Sequence, residues 1–237
     1  MQSSSTTTVS SRIGGGERPA ADAGAARPRL RLPRHVSPRT GYTFPSLYSF
    51  PPFFTKQPNE QTWQHQRRQW SDLILSYARF TKTFHLSLAA AGGAIDNPET
   101  EFEPFHNRDL NRTLARPVAL EILKDMTLSN PPTVEFISSS SAAAAGSGDA
   151  SKQPTACYLW WKSPRDWSDT IYEWVRATGQ TNSILTLYEL TENDPSLEFY
   201  KMPEPLLRRV LDLLQKQGKC QVLKGTLGEE GDGVKFV

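Results

Sequence analysis

The chain has 237 residues, a formal net charge of +2, 18 prolines, 15 glycines and two cysteines. Its hydrophobic content of 37% lies below the roughly 45–50% of an average globular chain, a figure that also counts glycine. No apolar run approaches the ~18–20 residues of a membrane span, residues 1–41 hold no signal-peptide core of ~7–15 apolar residues, and two cysteines cannot make a disulfide framework.

The net charge hides an asymmetry. Residues 1–41 carry seven arginines (12, 18, 27, 29, 31, 34 and 39) against Glu17 and Asp22, a formal +5, while the remainder carries 20 basic and 23 acidic side chains, or −3. The first segment is Ser/Thr-rich, then Gly/Ala/Pro/Arg-rich, with few apolar side chains such as Ile13, Leu30, Leu32 and Val36 that could pack on anything. Such a segment cannot bury enough apolar surface to offset its ordering entropy, so 1–41 is expected to be a disordered basic tail. Mitochondrial transit peptides share this composition, but they need an amphipathic helix, which Gly14-Gly15-Gly16 and Pro19, Pro28, Pro33 and Pro38 oppose.

Residues 42–58 are aromatic and proline-rich without helical period. Pro45, Pro51 and Pro52 exclude a central strand, and polyproline-type extension is the expected conformation. A helix then follows Asn59 as N-cap, with Trp63, Trp70, Ile74 and Tyr77 at helical spacing and Leu73 and Phe80 widening the stripe. Residues 84–88 alternate as a short strand, 89–103 form a loop, and a short helix is expected around 105–114. Pro117 opens another helix, with Val118, Ile122, Leu123 and Met126 on one face. Val134–Ile137 and 157–161 read as strands, separated by a Ser/Ala/Gly loop over 138–154.

The same order then recurs. Ser163 and Pro164 start a helix carrying Trp167, Ile171, Trp174 and Val175, and Gly179 ends it. Residues 183–186 are a strand, Leu187–Glu192 a short helix, 194–202 a loop and 203–217 an amphipathic helix stopped by Gly218. Strands at 220–224 and 234–237 flank a loop with four glycines. Helix, strand, helix, helix, strand, strand, twice over, is the winged-helix order. The chain is therefore expected to be α+β, mostly α: two tandem winged-helix domains, 59–162 and 163–237, behind the disordered tail. The short 161–164 junction predicts a fixed relation between them.

Enzymatic signals are weak. His35, His65, His85 and His106 are scattered, with none at metal-ligand spacing. Cys157 and Cys220 sit in apolar strand-like runs without a neighbouring His and read as buried free thiols. Phosphate-loop, dinucleotide and nucleophile-elbow motifs are absent, and Gly228-Glu-Glu-Gly231-Asp-Gly233 lacks the ligand pattern of a calcium loop. No catalytic, metal or cofactor site is expected. Winged helices often read DNA, and a DNA-binding transcription factor is the alternative reading. The second repeat, however, counts nine basic and twelve acidic side chains, a poor source of counterion-release drive.

The aromatic/proline segment is the candidate site. Tyr48, Phe50, Phe53 and Phe54 lie outside the repeats' regular elements, and large rings on a stiff extended peptide are costly in water unless something covers them. They are expected to dock into pockets on another protein, with no part in this chain's own core; the rival reading folds them onto the first repeat.

Tyr48-Ser-Phe-Pro-Pro-Phe-Phe-Thr-Lys-Gln-Pro-Asn59 before a helix with Trp70 resembles the start of a known family, the small winged-helix subunit of the endosomal sorting complex ESCRT-II. Tyr158-Leu-Trp-Trp-Lys-Ser-Pro-Arg-Asp-Trp167, Ile171-Tyr-Glu-Trp-Val175, Leu185-Thr-Leu-Tyr-Glu-Leu-Thr191 and Gly233-Val-Lys-Phe-Val237 are similar to later parts of the family. The resemblance, over about 42–237, implies a non-enzymatic adaptor, cytoplasmic and peripheral on endosomes. Two copies would join the two other ESCRT-II subunits through Pro-Pro-x-aromatic motifs and recruit an ESCRT-III subunit through the second winged helix. That assembly sorts ubiquitinated cargo into multivesicular bodies. It places partner contacts at Pro51, Pro52, Phe53 and Phe54, and at the degraded motif Pro45, Leu47 and Tyr48, where Ser46 replaces a proline. Nucleic acid and a membrane span have no place in it.

Overall fold

The computed structural model describes residues 34–88, 102–137, 154–223 and 232–237. The first repeat comprises α1 (Glu60–Thr81), β1 (His85–Ser87), β2 (His106–Asn107), β3 (Arg112–Thr113), α2 (Arg116–Thr127), β4 (Val134–Ile137) and β5 (Ala156–Leu159). The second comprises α3 (Pro164–Ala177), β6 (Ile184–Thr186), α4 (Leu187–Glu192), α5 (Glu204–Lys216), β7 (Cys220–Leu223) and β8 (Gly233–Phe236). Each repeat carries a three-stranded antiparallel sheet with the last strand in the middle, β1-β5-β4 and β6-β8-β7.

Local chemistry sets the helix ends. Asn59 accepts the amide of Thr62 at the start of α1. Ser163 and Asp166 form a reciprocal capping box on α3, with Pro164 in the first turn, where its missing N–H costs nothing. Thr186 and Glu189 repeat the box on α4. Gly179 and Gly218, at φ +70° and +72°, end α3 and α5 in the left-handed conformation that glycine adopts without steric cost.

Two aromatic-rich cores result. Trp63, Trp70, Ile74, Tyr77, Ile122 and Leu123 centre the first; Trp167, Ile171, Leu206, Val210 and Phe236 centre the second. The cores meet at the junction. Phe84, just after α1, belongs to the second core, and Trp161 touches both. Trp160 and Trp161 thus leave the strand expected over 157–161, which stops at Leu159. Arg79 and Lys162 both pair with Glu198, at 3.1 and 2.5 Å, Lys82 bonds the Pro195 carbonyl, and Arg209 pairs with Glu135.

Four expectations change. The helix expected around 105–114 is a 3-10 turn, Glu103–Phe105, followed by the β2–β3 hairpin. The reason is tertiary: the Tyr48 hydroxyl donates toward the carbonyls of Glu103 and His106, each 3.1 Å away, and Asn107 donates back to the Tyr48 carbonyl, so a distant segment fixes this stretch. Residues 34–41, expected in the tail, form a small hairpin with 42–44: Val36 bridges Thr43, Gly41 turns at φ +75°, and the Phe44 amide bonds the His35 carbonyl. Phe80, expected on the buried stripe, is 55% exposed. The polyproline extension of 42–58 is replaced by two 3-10 turns, Ser46–Ser49 and Pro51–Phe54. Most of the tail and of the loops at 89–103, 138–154 and 225–233 lies outside the described residues. Among those described, no helix is long and apolar enough to cross a membrane.

Candidate functional site

The aromatic/proline segment runs across α1 and the β2–β3 hairpin. Phe53 stacks flat on Trp70, and Phe54 meets the same indole edge-on at 5.5 Å. Tyr48 stacks on Phe44 at 3.9 Å and meets Phe54 edge-on at 5.4 Å. Tyr48, Phe53 and Phe54 are at most 4% exposed. The expectation that these rings stand apart from the chain's own core is therefore overturned. The physical reason is that Trp70 of α1 and Phe44 offer a matching aromatic surface on the same molecule, so the rings leave water without a partner.

The two turns are held by their carbonyls. Asn107, 1% exposed, donates from Nδ2 to the Tyr48 carbonyl at 2.8 Å. Gln66, 5% exposed, donates from Nε2 to the carbonyls of Phe53 at 2.6 Å and Thr55 at 3.1 Å. Trp70 Nε1 donates to the same Phe53 oxygen at 3.1 Å. Pro51 and Pro52 lack an N–H, so these two residues can be held only through their carbonyls and rings, while the amides of Phe53 and Thr55 close the turn onto Phe50 and Pro52. Beyond the turn, Lys56 reaches Glu121 at 2.7 Å, and Trp63 Nε1 donates to Glu121 at 2.9 Å. The Lys56 hydrogen bond holds the Glu121 carboxyl below its ordinary pKa.

What stays outside is a narrow edge. Pro45, Pro51 and Pro52 are exposed, Leu47 is half-buried, and Phe50 keeps 44% of its surface in water. Phe50 stands with the other rings of this segment in the sequence but within neither proline motif, and it is the one of the four that the fold leaves exposed. Gln66 had a signal, a polar residue in the buried stripe between Trp63 and Trp70. Asn107 had none.

Elsewhere the chemistry is quiet. Cys157 and Cys220 are buried free thiols, pushed up to about 12 and about 11 by burial, with Asp212 adding to the latter. Among the described residues no group of three or more His, Cys, Asp or Glu side chains could hold a metal ion. A groove of about 520 Å³ lies at the junction, lined by Pro131, Pro132, Phe136, Trp160 and Pro164, with Arg209 and Glu135 at its rim.

A tandem helix–sheet scaffold with a proline edge held outward by its own core is the class that fold and site define. The chain belongs to the ESCRT-II complex subunit family, whose sequence profile matches residues 47–203. It is similar to vacuolar protein-sorting-associated protein 25 of Drosophila melanogaster, with 34% identity over 82% of this chain and 98% of the relative. The protein of the same name from Schizosaccharomyces pombe is 32% identical over 78% and 93%. Among solved structures, subunit VPS25 of the endosomal trafficking complex ESCRT-II matches at a TM-score of 0.63, 29% identity, 82% of this chain and 98% of the other. A chain of the endosomal complex VPS22/VPS25/VPS36 matches at 0.60 and 29%, over 81% and 98%.

Proposed function

We propose that this chain is a non-enzymatic adaptor subunit of ESCRT-II, built of two tandem winged helices. It joins two other subunits of the kinds seen with its relative, VPS22 and VPS36. Its second repeat recruits an ESCRT-III subunit, and two copies serve each complex. It works in the cytoplasm, peripherally on endosomes, in sorting ubiquitinated cargo into multivesicular bodies. Residues 45–54 are the docking element. Pro45, Leu47, Phe50, Pro51 and Pro52 meet the partner, while Tyr48, Phe53 and Phe54 anchor the element from within.

The observation that carries this reading is the exposure of Phe50, Pro51 and Pro52 on a turn pinned by buried rings and amides. Such an edge gives a partner an apolar anchor and two rings with little freedom to lose. The DNA-binding alternative finds no such support. On α5, Arg208 is tied to Glu204 and Asp232, and Arg209 to Glu135. The test is copurification of Phe50→Ala/Pro51→Ala/Pro52→Ala with the two other subunits. The account expects release of this subunit with an unchanged melting midpoint. Full retention with an unchanged midpoint contradicts it.

A further inference from the structure

We propose that Gln66 is the positioning residue of the docking edge, an inference that rests on the reading of residues 45–54 as the docking element. The two 3-10 turns are gripped alike: the carbonyl of the third residue, Tyr48 in one and Phe53 in the other, accepts from a buried amide side chain of the body. The two amides differ at their other ends. Asn107 Oδ1 accepts the Leu110 amide at 3.0 Å, so Asn107 also shapes its own turn. Gln66 Oε1 is buried and has no hydrogen-bond partner among the described residues. Among the described residues the Gln66 side chain donates to the docking element and the residue just after it, to the carbonyls of Phe53, Thr55 and, at 3.5 Å, Pro52.

A buried amide with an unsatisfied end costs the fold, and an apolar side chain of similar volume would pack there without that penalty. What the amide adds is geometry. It ties carbonyls within and just after the second 3-10 turn to the second turn of a 22-residue helix. That fixes which way Pro51 and Pro52 face, so the edge is presented in one conformation before any partner arrives. Gln66 never touches the partner; it acts through the turn.

The test compares full-length Gln66→Met and Gln66→Glu with wild type, measuring thermal midpoint and affinity for the co-expressed pair of other ESCRT-II subunits. Gln66→Met keeps or raises the midpoint yet binds about tenfold more weakly or worse, an effect of at least about 1.4 kcal/mol. Gln66→Glu is also weak near pH 8, because an ionised carboxylate donates nothing. Its binding recovers toward about pH 6 as the buried carboxyl regains a proton and hence a donor, while Gln66→Met shows no such recovery. Wild-type affinity in Gln66→Met overturns the proposal. So does a loss of binding that merely follows a lowered midpoint, or a Gln66→Glu response to pH no different from that of Gln66→Met. If the Phe50/Pro51/Pro52 variant binds normally, the docking reading itself fails and takes this inference with it, a result distinct from wild-type binding by Gln66→Met alone.

Discussion

Phe53 lies flat on Trp70, with ring centroids 4.2 Å apart and planes 5° apart. A residue of the docking element is thereby also a residue of the core, so its loss is first a folding defect. Phe53→Ala should cost on the order of 3–5 kcal/mol by cavity formation. At ~2–4 °C per kcal/mol for a chain of this size, the midpoint should fall on the order of 10 °C. Circular dichroism melting of the isolated chain checks this; an unchanged midpoint would mean that the ring is free.

The second repeat should depend on the first. Phe84 is 2% exposed and packs 4.2 Å from Trp161 and 5.8 Å from Trp167, centroid to centroid. A fragment of residues 163–237 lacks Phe84, Trp160 and Trp161 and leaves part of its core open to water. It should melt well below the full chain and bind a hydrophobic dye. Melting at the full-chain midpoint would show the repeat to be autonomous.

The two thiols should be silent. With Cys157 pushed up to about 12 and Cys220 to about 11, almost no thiolate exists near neutral pH, and both sulfurs are buried. A thiol reagent at about pH 8 should modify neither in the folded protein and both once urea unfolds it. Rapid labelling of the native chain would contradict the burial described.

Acid should weaken the link between the docking segment and α2. Glu121 is held below its ordinary pKa chiefly by Lys56. A lowered carboxyl stabilises the fold above its unfolded pKa, and that stabilisation is lost as pH falls through the folded value. Lys56 and Glu121 are 47% and 38% exposed, so the effect should stay within about 1 kcal/mol. Glu121→Gln should show a shallower loss of midpoint on acidification than wild type; an identical profile would mean that the pair contributes nothing.

The sequence was most legible where structure is local. Asn59, Ser163 with Asp166, Gly179 and Gly218 act within a turn of the helices they bound, so those boundaries could be read directly. The second repeat followed from apolar spacing along α3 and α5. Legibility ended where distant groups decide. The fate of residues 105–114 depends on a hydroxyl at Tyr48, 55 to 58 residues away from its two acceptors. The burial of Phe53 and Phe54 depends on Trp70 and Gln66, and an aperiodic aromatic run does not say which rings will be covered. Pro45, Pro51 and Pro52 lie at the surface, but the rings of Tyr48, Phe53 and Phe54 beside them face the other way.

The most direct test of the central claim is contact itself, at Phe50. A photoreactive phenylalanine analogue at position 50, in the complex assembled with the two other ESCRT-II subunits, should crosslink to one of them on illumination. The same analogue at Phe80, 55% exposed on α1 and outside the docking edge, serves as the control and should not. An assembled complex in which position 50 forms no crosslink to another subunit would contradict the account and place the main contact away from the proline edge.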